Sequence, residues 1–135
     1  MWEAYGLDNE DILWAGIPFL GGIGGRQEAP CGVISASAMS LGLRHRCSLT
    51  DKDQAKMARV TIRDNSNELI KDFTDNFGSI ICNDLIGLDM SDPDQYREFQ
   101  ESGIWKEKCC RFIEFAIEKL YEFEEKGESH PFPIL

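Results

Sequence analysis

Apolar residues in this chain recur at intervals of three and four, the spacing of helix faces, and no stretch alternates apolar and polar residues as a strand does. Asp8 and Asp11 read as a helix start, and Ile12, Leu13, Ile17 and Leu20 follow at helical intervals. That segment must end by Gly21, with Pro18 kinking it or dividing it in two. Gly21, Gly22, Gly24 and Gly25 form a turn, after which Pro30 suits the first position of a helix from Cys31 to about Leu43. Ser48 or Thr50 caps a third helix beginning at Lys52, and Asp64-Asn65-Ser66-Asn67 is weak enough in helix propensity to break it before Leu69, Ile70 and Phe73.

Gly78 closes that segment, and Ser79 caps a short helix containing Cys82, Leu85 and Ile86. Ser91 or Asp92, followed by Pro93, starts another, which Ser102-Gly103 interrupts. In the last helix Trp105, Cys109, Phe112, Ile113, Ala116, Ile117 and Leu120 make the apolar stripe, which turns Cys109 to the core and Cys110 to the flank. From Gly127 the tail, with Pro131 and Pro133, reads as extended. The expected fold is all-α: a compact bundle of about five to six helices with a Gly-rich loop, in a single domain over residues 1–135.

Charge narrows the partners. A formal net charge of −10 repels phosphate backbones and anionic headgroups, so neither nucleic acid nor a membrane surface is expected. Acidity of this size is commoner as plain solubility than as a docking signal. A redox partner protein and self-association remain the partner classes to consider. The uncharged stretches Ile12 to Gly25 and Ala29 to Leu43 are shorter than the ~20 residues a membrane helix needs. Met1 to Asp11 has no basic patch followed by an apolar run, which favours a cytoplasmic location.

The candidate chemistry is that of sulfur. Five cysteines cannot all pair internally, which favours metal, redox or buried-thiol roles over stapling. Cys31 and Cys82 each fall at a predicted helix start, where free N–H groups and the positive end of the dipole favour a thiolate. Cys109 joins them only by facing inward. If packing gathers the three sulfurs, they can ligate a metal or iron–sulfur cluster, or exchange a disulfide. The alternative is that each is a small buried hydrophobe in a helical binding or assembly protein.

The glycines at 21 to 25 lack the Lys-Ser/Thr ending of a P-loop, no CxxCH exists for a c-type haem, and the two histidines are too few for a histidine-based metal site. His45 near Cys47 reads as a solvated helix end. Gly32, Ala36 and Ser40, four residues apart, give the second helix a face with little bulk. Another helix or a cofactor can approach there.

The run Phe19 to Gly24, then Cys31-Gly32 leading to Leu41-Gly42-Leu43, resembles the C_GCAxxG_C_C family of redox-active proteins. Phe77-Gly78-Ser79-Ile80 before Cys82, and Cys109 before Arg111-Phe112-Ile113, are similar to the segments around that family's later cysteines. The resemblance extends from about Tyr5 to Leu120. It implies redox or electron-transfer function with Cys31, Cys82 and Cys109 as metal or cluster ligands or as exchangeable thiols, and Gly22, Gly24 and Gly32 as the glycines a cofactor would approach.

The chain departs from the family pattern in two places. Cys31-Gly32-Val33-Ile34-Ser35-Ala36 lacks the pattern's small third residue and final glycine. The family's first cysteine lies upstream of the segment matching Trp2 to Trp14, where this chain has none, so a late start or a lost sulfur is implied. A four-thiolate cluster then needs Cys110, Cys47, water or a partner subunit as the fourth ligand.

Overall fold

A computed structural model describes residues 6–127, and in that span the chain is all-α. Six helices follow in order: α1 (Asp11–Gly16), α2 (Gly32–Arg44), α3 (Lys52–Phe77), α4 (Cys82–Ile86), α5 (Pro93–Glu101) and α6 (Cys110–Gly127). The only ladder contact among the described residues is one antiparallel bridge between Pro30 and Ile81. No described helix is long and apolar enough to cross a membrane. The tail beyond Gly127 lies outside the described residues.

Pro18 divides the first segment: α1 stops at Gly16 and a single 3-10 turn spans Ile17–Phe19. The apolar residues of α1 do not form a core face, because α1 buries none of its residues. Pro30 does not open α2 either. It sits in the bridge, Cys31 is the cap, and the helix begins at Gly32.

Helix α3 runs without a break through Asp64–Asn67. At 26 residues it is about 39 Å long, and the weak tetrapeptide is carried by the turns on either side and by burial of Leu69 and Phe73 just beyond it. Its cap is Asp51, whose carboxylate accepts from the Gln54 N–H at 3.0 Å, while Ser48 and Thr50 bond to each other. Gly78, at φ +84°, closes it in the left-handed conformation.

Two apolar clusters hold these helices. One joins Leu41, Leu69, Leu120 and Phe123 across α2, α3 and α6. The other is built on four rings, Phe73, Phe77, Phe112 and Phe115, with centroids 4.7 to 5.8 Å apart in tilted and edge-on contacts. On the rim, Lys119 bridges α3 and α6 through Asp72 at 2.6 Å and also bonds Glu122 at 2.7 Å.

Helix α6 buries Phe112, Ala116, Leu120 and Phe123, whereas Ile113 and Ile117 are 45% and 43% exposed, one position around the barrel of the helix from where the sequence stripe places them. The small-residue face of α2 is kept only in part. Ala36 is exposed, but Ser40 is buried together with Ile34, Ser37 and Leu41, and Gly32 is packed against the Phe19 carbonyl.

A cluster of buried thiols

The candidate site forms where two helix starts lie side by side. Around the Pro30–Ile81 bridge, the Cys31 N–H donates to the Ile80 carbonyl at 2.7 Å and the Cys82 N–H donates to the Ala29 carbonyl at 3.2 Å. In this antiparallel register Cys31 lies opposite Ile80 and Cys82 opposite Ala29, so both thiols leave the same face as diagonal neighbours. Diagonal positions of such a pair have Cα atoms about 7–8 Å apart, just beyond the ~4.4–6.8 Å a disulfide spans.

Cys31 and Cys82, each 9% exposed, are members of the phenylalanine cluster, and Cys109 packs against it. Segments 51 and 27 residues apart thus deliver three sulfurs to one apolar chamber. All five cysteines are free thiols, and Cys47 and Cys110 are partly exposed.

The chamber keeps its thiols neutral. Burial pushes Cys31 above the ordinary thiol range, against a smaller pull from the Val33 and Ile34 amides at the start of α2. Cys82 is pushed up to about 11, first by burial and then by repulsion from a neighbouring Cys31 or Cys109 thiolate, with a hydrogen bond from the Gln27 side chain acting in the opposite sense. Cys109 is raised by burial, then by Cys31 and Cys110, while Lys108 opposes.

Helix starts therefore lower these thiols less than burial raises them. Cys31 occupies the cap of α2 rather than its first turn, and Cys82 heads a helix of only five residues. The predicted Ser79 cap is also different in kind: its hydroxyl accepts from the Ile81 N–H at 3.0 Å and donates to Asp84 at 2.8 Å.

Three features of the site had no usable signal in the sequence. Gln27, 3% exposed and at φ +61°, follows the glycine loop and is tied to both sides of α4. Lys108 donates from Nζ to the Leu85 and Ile86 carbonyls, at 3.2 and 2.9 Å, and so caps the C-terminal end of α4 with a cation. Residues Trp105–Cys109 form a π-helical turn leading into α6, and this wider turn breaks the continuous α register expected there. Cys109 consequently sits at the junction of two helix types, and Trp105 is exposed.

Gly22 and Gly32 serve the packing of this region. A Cβ on Gly22 would lie 2.7 Å from the Ala29 carbonyl oxygen and 2.9 Å from the Gln27 Cα, and one on Gly32 would lie 3.2 Å from the Phe19 oxygen. Gly24 faces open space at φ +62°. His45 is not a solvated helix end: its Nε2 is buried with no hydrogen-bond partner, and burial lowers its pKa.

A resident metal ion or iron–sulfur cluster fits this arrangement poorly. Among the described residues no three His, Cys, Asp or Glu side chains are grouped to hold a metal. Cys47 and Cys110 are the only other thiols, and neither belongs to the cluster that holds Cys31 and Cys82.

An all-α protein that assembles remote thiols inside one apolar chamber belongs to the class of cysteine-centred helical proteins. This chain is a member of the C_GCAxxG_C_C family: the family's sequence model, described as "Putative redox-active protein (C_GCAxxG_C_C)", matches residues 1–123. No curated protein and no solved structure matches it.

Proposed function

We propose that this protein exchanges thiols and disulfides with a redox partner through Cys31 and Cys82, with Cys109 as the adjoining third thiol. The observation that carries this reading is the diagonal placement of Cys31 and Cys82 across the Pro30–Ile81 bridge, which brings two buried thiols from distant segments together in one cluster. Of the two, Cys31 is the better initial nucleophile, because it meets the amides at the start of a 13-residue helix.

The reaction balances without any resident cofactor. The Cys31 thiolate attacks a disulfide of the partner, forming a mixed disulfide and releasing one partner thiolate, which takes up the proton that Cys31 gave up. The Cys82 thiol loses its proton and attacks the Cys31 sulfur, closing the internal disulfide and releasing the second partner thiol. Two thiols are oxidised here and one disulfide is reduced there.

The test is anaerobic incubation of the reduced protein with glutathione disulfide, followed by peptide mapping of the disulfides. A Cys31–Cys82 bond as the main internal product is expected. Glutathione left on Cys47 or Cys110 alone, with Cys31 and Cys82 still reduced, overturns the reading. The rival, ligation of iron and sulfide by Cys31, Cys82 and Cys109, predicts instead a coloured product after anaerobic reconstitution whose absorbance disappears in Cys82→Ser.

A further inference from the structure

The face that α1, the 3-10 turn and the glycine turn present to solvent is apolar, and none of the described residues covers it. Leu13, Trp14, Ile17, Leu20 and Ile23 are 45%, 69%, 55%, 76% and 49% exposed. Together they show roughly 500 Å² of apolar surface, near the top of what a monomeric protein leaves open in one patch.

These residues form one unit. The Leu20 N–H donates to the Ile17 carbonyl at 3.1 Å, and the Gly24 and Gly25 N–H groups donate to the Pro18 and Leu20 carbonyls at 2.7 and 3.1 Å, so the glycine turn folds back on the 3-10 turn. The inner side of the unit rests on α2: a Cβ on Gly32 would lie 3.2 Å from the Phe19 oxygen, and one on Gly16 would lie 3.7 Å from the Met39 Cε.

Two features of the unit are unfavourable within one copy. A six-residue helix is too short to persist in water by itself, yet α1 buries none of its residues. Ile23 holds a left-handed backbone, strained for a β-branched residue, at an exposed position. A contact that buries Trp14 and Ile23 offsets both.

Charge indicates what makes that contact. From Ile12 to Gly25 the sequence carries no charge, in a chain of net charge −10, so two copies repel least across this face. At ~0.15 M salt, charges more than about 8 Å away are screened, and those at the ends of the face decide the partner. Asp11 stands at one end. Arg26 stands at the other, where the Gln27 N–H donates to the Gly21 carbonyl at 2.9 Å. Helix α1 and the 3-10 turn hold the two ends roughly 15 Å apart. Arg26 meets Glu28 only at 3.6 Å, with the side chains 76% and 74% exposed, a contact of small energy. An identical face laid antiparallel across a twofold axis near Ile17 brings acid against base at both ends.

We infer that the outer face of residues 11–26 is a dimer interface between two copies of this chain, with Leu13, Trp14, Ile17, Leu20 and Ile23 at its centre and Asp11 of each copy opposite the partner subunit's Arg26. With its polar rim, such a face reaches the ~800 Å² per partner of a standard interface.

Sedimentation equilibrium of the full chain tests this, in reductant so that no intermolecular disulfide contributes. At ~100 μM the mass should be twice the 15.3 kDa of the chain. Trp14→Glu and Leu20→Glu should each stay monomeric with unaltered far-UV circular dichroism, because both side chains are exposed in the single copy. Asp11→Lys and Arg26→Glu should each weaken dimerisation about ten-fold, since every reversal counts twice across the axis, and the double variant should restore it. Ile23→Gly should weaken it about five-fold while leaving the monomer no less stable.

A wild-type monomer at that concentration overturns the inference, whether another protein or a lipid surface covers the face. A dimer that survives both Trp14→Glu and Leu20→Glu overturns it as well. Charge reversals that weaken association without rescuing each other overturn the antiparallel arrangement.

Discussion

At the scale of single residues, burial and backbone strain make two separable predictions. Cys82 is held neutral, with its pKa raised from the usual 9 to about 11, so its contribution to stability is fully present below pH 9 and is lost as pH rises towards 11. The loss is on the order of 2 kcal/mol. Urea midpoints measured at pH 9 and pH 11 should therefore move closer together in Cys82→Ala than in wild type, and an unaltered gap would show that Cys82 does not carry the effect. Ile23 adopts φ +63° although it is β-branched and 49% exposed. Ile23→Gly relieves that strain at little cost in burial, so it should raise stability by about 1 kcal/mol in chemical denaturation.

At the scale of elements, α4 is the piece on which the site depends and the one least able to stand alone. Five residues cannot sustain a helix in water. It is held by the bridge at one end and by Lys108 on two carbonyls at the other. Lys108→Met removes those bonds and should cost about 1–2 kcal/mol, with faster alkylation of both Cys82 and Cys109. Equal labelling rates in the variant and wild type would mean that α4 does not need its cation.

Much of this architecture was legible beforehand, because caps and breakers act locally. Asp92 capping α5, Gly78 ending α3 and Pro18 dividing the first segment each follow from one residue's own geometry. The convergence of Cys31, Cys82 and Cys109 was legible only as a possibility resting on inward-facing positions and a family pattern. Whether the sulfurs meet depends on an interstrand bridge between segments 51 residues apart, and a single bridge leaves no periodic trace in either segment. Gln27 was invisible for a related reason. A lone glutamine after a glycine turn has no period to announce that it is buried, and its four hydrogen bonds reach as far as Met90. The π turn hides likewise, since its one extra residue per turn changes the register of Trp105 and Cys109 without changing their spacing in the sequence.

At the scale of the whole molecule, the proposed exchange predicts that charge governs which disulfides react. The chain carries a formal net charge of −10, and Lys108, the cation that acts on Cys109, is engaged with α4 carbonyls. A field of this sign draws cationic oxidants in and holds anionic ones off, and added salt screens both effects. Dicationic cystamine and anionic glutathione disulfide carry the same reactive bond with opposite charge. At ~10 mM ionic strength cystamine should oxidise the Cys31–Cys82 pair about ten-fold faster, after each rate is divided by that for a neutral cysteine peptide. At ~0.5 M salt the Debye length is only a few Å, and the normalised ratio should fall towards one. Stopped-flow measurement across that range separates the two roles of acidity: a ratio flat in salt shows that the negative surface does not steer disulfides, and a falling one shows that it favours positively charged ones.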